Sequence, residues 1–296
     1  MGNYLVAMSV TAGIYALMAL GVNLTWGLAG MVNLGLAGFF AVGGYVTALL
    51  TKAGAAIPVG MVAGALVAAL AGAVVALITA RLRADYLAIV TLGFSESVRI
   101  VAANEIWLTN GSDGIAGIRG PWRATVSPTA YNLIFLAIVL SVLIVVLFVM
   151  HRLAAAPFGR VLRALRDDED VAAVAGKTVL LFKVKAFAIG AGVLGLAGTL
   201  YVHDTSYIAP DIFAPLLTIN IVLALVLGGV GNNAGAVVGA VGLVILLEGS
   251  RFAAPLLPFL SAAQIAAIRE LLISGLLLVI LRILPGGLVP ERVAPE

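Results

Sequence analysis

The chain contains no cysteine, which excludes disulfides, thiolate metal sites and a cysteine nucleophile. Charge is also scarce, since 10% of the 296 residues are charged and 62% are hydrophobic. A soluble domain carries roughly 25% charged residues. The two histidines, His151 and His203, lie far apart and show no paired metal-ligand spacing, and a net charge of +3 is too small to indicate nucleic-acid binding. We therefore expect no metal site, no cofactor and no nucleic acid.

Long apolar segments make up most of the chain, and the mean hydropathy is +1.17. A membrane-spanning helix needs roughly 20 mostly apolar residues. Nine segments are candidates: 4–25, 28–50, 56–80, 84–103, 130–150, 184–202, 214–230, 233–249 and 268–284. The chain is therefore predicted to be all-α, a polytopic transmembrane helix bundle of about 8–10 spans in a single domain over residues 1–296.

The candidate spans differ in quality. Segments 130–150 and 214–230 contain no charge and are the strongest, whereas 84–103 carries Asp85, Glu96 and Arg99. Segment 28–50 is interrupted by five glycines, which predicts a broken or re-entrant helix. Two GxxxG patterns, at 60–64 and 235–239, are predicted to let helices pack closely within one bundle, with dimer contact as the alternative.

The distribution of Lys and Arg predicts the orientation, because these residues accumulate on the cytoplasmic side. With the long basic loop 151–183 inside, eleven Lys and Arg lie on the cytoplasmic face and six on the other. This choice puts the loop 104–129 outside, the N-terminus outside and the C-terminus in the cytoplasm.

The cytoplasmic loop 151–183 is predicted to hold two helices. Apolar residues at 158, 161, 162 and 165 form one helical stripe, and the arginines at 160, 163 and 166 are expected near the lipid head groups. An Asp cap, acidic residues in the first turn and a terminal glycine then indicate a short helix with small residues in its middle, at 172, 173 and 175. This helix either presses into a groove on a partner protein or is part of a solvated amphipathic loop at the membrane surface.

Two nucleotide-binding patterns are incomplete. The sequence Gly176-Lys177-Thr178 resembles the end of a P-loop, but Val171 occupies the position of the first glycine and no strand precedes it. The stretch 229–234 resembles a dinucleotide-binding fingerprint, but it follows an apolar run long enough to cross a bilayer. We predict a tight turn between two membrane helices there, and any ATPase belongs to another chain.

Polar residues within spans are candidates for a translocation path, because burying them in lipid is costly. Thr91, Ser95 and Glu96 lie about one helical turn apart. The alternative is a Glu96–Arg99 ion pair with hydroxyls bonded to their own helix. Asn23 and Asn33 flank the glycine-rich break and are expected mainly to satisfy backbone groups freed there.

Several stretches together resemble the permeases of branched-chain amino-acid ABC importers, specifically the M-type subunit of the leucine/isoleucine/valine system. They are NLTWGLAG at 23–30, NLGLAGFFAVGGY at 33–45, RLRADYLAIVTLGFSE at 81–96, TNGSDG at 109–114, GRVLRALRD at 159–167, YIAPD at 207–211 and LGGVG at 227–231. The resemblance implies a permease subunit of an ATP-driven importer in a bacterial or archaeal inner membrane. It also implies a complex with an H-type permease, two ATPase subunits and a periplasmic substrate-binding protein.

The resemblance assigns a role to the short cytoplasmic helix. Residues 169–176 match the family's variant of the E-A-A…G signature, the coupling helix that docks on the ATPase. The implied coupling residues are Asp167, Asp168, Glu169, Asp170, Ala172, Ala173 and Gly176. Asp170 and Val171 depart from the general signature, which has small residues at these two positions.

The function implied is inward movement of branched-chain or related small amino acids by alternating access, with no catalysis by this chain. Urea, short amides or another small organic acid are alternative substrates of the same architecture. An ion-coupled secondary transporter is the alternative of a different class, and it predicts ionisable residues deep inside spans. The best-defined spans contain almost none.

Overall fold

The computed structural model describes residues 2–82, 84–123, 125–249, 262–284 and 286–291. Within them the chain is helical apart from loops and one pair of two-residue strands. The helices are α1 (Gly2–Val22), α2 (Leu36–Lys52), α3 (Ile57–Thr79), α4 (Ala84–Asn104), α5 (Ile106–Thr109), α6 (Pro128–Ala155), α7 (Pro157–Asp167), α8 (Glu169–Val174), α9 (Val179–Thr205), α10 (Pro215–Gly228), α11 (Asn233–Gly249) and α12 (Ala262–Ile283). The strands β1 (Ile115–Ala116) and β2 (Tyr207–Ile208) pair antiparallel.

Nine of these helices coincide with the nine predicted spans. Five are long and apolar enough to cross a membrane, namely α1 with the turn that follows it, α3, α4, α6 and α9. The helices α2, α10 and α11 are apolar but shorter, and α12 covers the segment predicted at 268–284. The predicted all-α, polytopic membrane helix bundle is confirmed. The segment 214–230 is shorter than expected, because α10 has 14 residues and is about 21 Å long.

The break predicted in segment 28–50 lies at its N-terminal end. Helix α1 continues as a π-helical turn, Asn23–Leu28, and residues 29–35 are irregular before α2 begins at Leu36. Gly30 has φ +70°, a left-handed conformation that glycine adopts without strain. The glycines at 38, 43 and 44 lie inside a regular helix, so the broken segment is confirmed but they are not part of the break.

The GxxxG glycines allow helices of the same chain to approach closely. Gly60 faces the Thr47 side chain on α2, and Gly64 faces the backbone of Gly43. Gly239 lies against the α10 backbone at Ala224 and Gly228. These contacts confirm the predicted packing within one bundle.

Contacts between elements distinguish the two ends of the bundle. One end, which we call the α7 end, holds α7, α8, the break after α1, the turn between α10 and α11, and residues 286–291. The opposite end holds β1 and β2, which join the loops predicted at 104–129 and 203–213. Tyr4 also donates a hydrogen bond to Glu248 there, at 2.6 Å.

Candidate functional site: the α7–α8 surface and the polar side of α4

Helix α7 lies along the bundle on its predicted apolar stripe. Leu162 and Leu165 are buried, and the Phe158 ring stacks on Phe182 of α9 with centroids 5.8 Å apart. Pro157 is the first residue of α7, directly after the capping residue Ala156, and its fixed φ suits the first turn of a helix. The α7 helix is therefore anchored by side-chain packing, while Arg160 on its other side is exposed.

Helix α8 begins and ends as its sequence predicts. The Asp168 side chain caps it, because Oδ1 accepts hydrogen bonds from the backbone N–H of Asp170 and of Val171, at 2.9 and 3.0 Å. At the other end the Gly176 N–H donates to Ala173 O, and Gly176 has φ +78°. The result is a single short turn of helix with carboxylates at its N-terminus, where the helix dipole stabilises them.

Few contacts hold α8 against the bundle. Lys183 on α9 donates a hydrogen bond to Glu169 at 2.6 Å, and Ala172 is packed inward with 4% of its surface exposed. Val171 and Val174 face outward and are 65% and 90% exposed. A groove of about 490 Å³ runs between α7 and α8 and is lined by Pro157, Arg160, Val161, Ala164, Asp167, Asp168, Val171, Ala172, Ala175 and Lys177.

Two of the α7 arginines predicted near the lipid head groups bind partners within the chain. Arg166 Nη1 donates to Glu291 at 2.8 Å and to the carbonyl oxygen of Gly27 at 2.6 Å. Arg163 Nε donates to the same carboxylate at 3.3 Å. Both side chains point to the bundle because Glu291, whose side chain is 18% exposed, offers a carboxylate there. Sequence reasoning missed Glu291, which lies 125 residues from Arg166 and belongs to no recognisable pattern.

The polar cluster of α4 divides over two sides of the helix. Thr91 and Ser95 are buried; the Thr91 hydroxyl donates to Leu87 O at 2.9 Å and accepts the Leu34 N–H at 3.0 Å. Thr91 therefore satisfies its own helix and also a backbone group of the irregular segment before α2.

Glu96 and Arg99 lie beside this buried stripe as an i, i+3 ion pair. Arg99 Nε donates to the two Glu96 oxygens at 2.9 and 3.1 Å, and Nη2 contacts the carboxylate as well. Their side chains are 34% and 28% exposed, respectively. Glu96 lies eight residues before the end of α4, about 12 Å along the axis. The pair is thus within the half of α4 that lies nearer the β1–β2 end.

Asn23 and Asn33 satisfy backbone groups, but in different places. The Asn33 side chain accepts the Gly35 N–H at 2.9 Å, at the start of α2. Asn23 accepts the Gly231 N–H and donates to the Asn233 side chain, both at 2.8 Å. Asn23 therefore joins the end of α1 to the turn between α10 and α11, a partner that its sequence position does not reveal.

Comparison with known proteins identifies one family along most of the chain. The family model described as "Branched-chain amino acid transport system / permease component" matches residues 4–281. The chain is 36% identical over 258 residues to the high-affinity branched-chain amino acid transport system permease protein LivM of Escherichia coli K12, covering 79% of this chain and 61% of the relative. It therefore spans less than two thirds of the length of that relative.

Two other relatives are covered more fully. The probable branched-chain amino acid transport permease protein LivM of Methanocaldococcus jannaschii is 29% identical over 95% of this chain and 91% of its own. The permease protein LivH of Salmonella typhimurium is 24% identical over 93% of this chain and 90% of its own. No solved structure matches the chain.

Proposed function

The chain belongs to the family of permease components of branched-chain amino acid transport systems, and we propose that it is the M-type permease subunit of an ATP-driven ABC importer. In this proposal it forms one permease domain and pairs with an H-type permease, two ATPase subunits and a periplasmic binding protein. The substrates are branched-chain or related small amino acids. The relatives named LivM and LivH support a pair of different permeases, since both resemble this chain along its length.

The α7 end faces the cytoplasm in this proposal. It holds the arginines of α7 together with Lys177, Lys183 and Lys185, and positive side chains are retained on the cytoplasmic side of a membrane. The N-terminus then lies outside and residues 286–291 lie inside. The exposed Trp107 and Trp122 belong to the opposite end, at the depth where aromatic side chains gather at a membrane interface.

The observation that carries the proposal is the exposed apolar surface of α8. Val171 and Val174 project into water at the cytoplasmic end, on a helix held by few contacts. A partner that accepts a short helix in a groove would bury both valines. We assign the ATPase-docking role to residues 167–176. Ala172 supports the helix from within, while Ala173 and the two valines face the partner.

We place the translocation path along the side of α4 that carries Glu96 and Arg99. An arginine near the end of a span normally extends toward the membrane surface. Arg99 instead points one turn back, toward the middle of the membrane, to reach Glu96. Both side chains are about one third exposed. An ion pair at that depth is stable only against water or protein, which favours a path lining. Thr91, Ser95, Asn33 and Asn23 are buried and, in this proposal, shape the wall behind the path.

Purification of the complex tests the assembly. The chain is tagged and isolated in mild detergent from its native host, and the co-purifying proteins are identified by mass spectrometry. We expect a second permease and an ATPase, and their loss when residues 167–176 are replaced by a Gly/Ser linker. Recovery of this chain alone, from membranes in which the ATPase is expressed, would contradict the proposal.

Transport assays test the energy source and the substrate. In proteoliposomes containing the complex and the binding protein, uptake of labelled leucine should require ATP and persist without an ion gradient. Uptake that follows the ion gradient and survives ATP depletion would identify a secondary transporter. ATP-dependent uptake of labelled urea or of a labelled short amide, with none of leucine, would retain the importer and change the substrate class.

Exchange of the ion-pair residues tests the path. We expect Glu96→Gln and Arg99→Gln to lower uptake about tenfold while leaving the recovery of the complex unchanged, because the pair is on the side of α4 and not in its packed stripe. Ser97→Ala is the matched control, since its exposed hydroxyl bonds only to its own helix. Normal uptake by both Gln variants would remove the pair from the path.

A further inference from the structure

Four segments of the chain meet at the side chain of Arg166. Its Nη1 atom contacts the Gly27 carbonyl at the end of the π-helical turn and the Glu291 carboxylate near the C-terminus. Arg163 binds the same carboxylate. Residues 286–291 are in turn fixed to the end of α10, because the Leu288 and Val289 N–H groups donate to Leu227 O and Gly228 O at 2.9 and 2.8 Å. The amphipathic helix, the end of α1, the α10–α11 turn and the C-terminal segment are thus joined at one point.

Glycines make this close approach possible. A Cβ atom at Gly27 would lie 2.6 Å from the Gly231 nitrogen, and one at Gly231 would lie 2.5 Å from a Glu291 carboxylate oxygen. At Gly30 a Cβ atom would lie 2.9 Å from the Arg166 side chain. Each distance is shorter than ordinary carbon contacts. The atoms near Gly27 and Gly30 include backbone, and Gly231 has φ +88°, so larger residues would strain the junction. The junction therefore depends on glycine at three positions.

The end of α1 departs from regular α-helix. Residues Asn23–Leu28 form a π-helical turn, a rare geometry that is frequent at functional sites. Below it the Met31 N–H donates to Thr25 O at 2.9 Å, and residues 32–35 are irregular. A cavity of about 120 Å³ separates Ala29–Met31 from α8, with Arg166, Glu169 and Lys183 in its wall. This cavity leaves room for relative movement.

We propose that Arg166 is the positioning residue that transmits movement of α8 to the end of α1. This inference rests on the proposed function, in which an ATPase moves α8. Arg166 is separated from the α8 cap, Asp168, by one residue, so movement of α8 acts first on the part of α7 that carries Arg166. The guanidinium then moves the Gly27 carbonyl and with it the π-helical turn, which changes the wall of the path near α2.

Arginine suits this task better than lysine. A guanidinium has five donors in a fixed plane and can bind a carboxylate and a carbonyl simultaneously, whereas an ammonium group is a point charge on a flexible stem. Glu291 orients Arg166 and is not itself bonded to α1. Loss of Arg166 should therefore uncouple α8 from the end of α1, whereas loss of the Glu291 charge should only weaken this coupling.

The test measures the number of leucine molecules imported per ATP hydrolysed, which a merely structural role of Arg166 would leave unchanged. The complete complex is reconstituted in proteoliposomes with its binding protein, and leucine uptake and ATP hydrolysis are measured in the same vesicles. For Arg166→Gln we expect normal assembly, hydrolysis within twofold of the unsubstituted complex, and at least about fivefold fewer leucine molecules imported per ATP hydrolysed. Arg166→Lys and Glu291→Gln should fall between. Arg152→Gln, an exposed arginine at the same end that stacks on Phe148, is the matched control.

The outcomes separate this inference from the proposed function. An unsubstituted complex with no ATP-dependent uptake would defeat the proposed function itself. With that uptake present, an unchanged import ratio in Arg166→Gln, or a parallel fall of uptake and hydrolysis, would overturn the transmission role alone. Failure of both Arg166→Gln and Arg166→Lys to assemble would also overturn it, because the residue would then serve assembly.

Discussion

Replacing both exposed valines of α8 by serine should weaken ATPase binding by a calculable amount. Complete burial of a valine side chain is worth about 1.5 kcal/mol at the lower end of its range. Val171 and Val174 have 65% and 90% of their surface available to a partner, which corresponds to about 2 kcal/mol together and roughly 30-fold in Kd. Serine has a helix propensity close to that of valine, so α8 itself should persist.

The assay is binding of the purified ATPase to the permease pair in nanodiscs, measured by biolayer interferometry without nucleotide. The matched control is Val59→Ser with Val62→Ser, two exposed valines at the start of α3, which makes the same substitution away from α8 and should change Kd less than threefold. If the double-serine variant of Val171 and Val174 bound the ATPase within twofold of the unsubstituted permease, the docking role assigned to this surface would be wrong.

Three further predictions concern stability. Asn23→Ala removes the partner of two buried hydrogen-bonding groups and should lower the free energy of unfolding by about 2 kcal/mol in an SDS-denaturation series. Thr25→Val removes only a bond within the same helix and should lower it by less than half as much. Asp168→Ala should destabilise α8 by about 1 kcal/mol, seen as faster amide hydrogen exchange at 169–174; unchanged exchange would refute the cap. Gly43→Ala puts a methyl group against the α9 backbone and should lower the free energy of unfolding by at least about 2 kcal/mol. A methyl group at Gly93 meets no neighbouring atom, so Gly93→Ala should leave stability unchanged. Equal losses of stability would refute the close packing.

The spans could be predicted because the bilayer requires apolar length, and length is directly visible in a sequence. The position of the break could not, since five glycines in 28–50 offered several places for it. Only the tertiary contacts decide: the glycines at 38, 43 and 44 pack against α4 and α9 as parts of a regular helix. The π-helical turn leaves no periodic signal, because Asn23–Leu28 spans six residues and periodicity needs a window of about 11 or more.

In the candidate site, too, local features could be predicted from the sequence and long-range contacts could not. The cap, carboxylates and terminal glycine of α8 are local features, and the helix forms where they predict it. Arg163 and Arg166 have the spacing of a solvent-facing side, yet they bind a carboxylate more than 120 residues away. Asn23 likewise binds the α10–α11 turn. Long-range polar partners of this kind cannot be read from one sequence, because any charged or amide side chain elsewhere could serve.

The unequal anchoring of α7 and α8 determines where a force applied to α8 enters the bundle. Helix α8 makes few contacts with α9, among them the Lys183–Glu169 ion pair, whose side chains are long enough to adjust. Its covalent connection to α7 cannot adjust, and α7 is fixed to the bundle by buried leucines and by two arginines on one carboxylate. Displacement of α8 therefore reaches α7 through Asp168 alone, whereas four residues, 175–178, separate α8 from α9. The nearest deformable element along that route is the end of α1, which makes the break after α1 the place where cytoplasmic movement reaches the membrane interior.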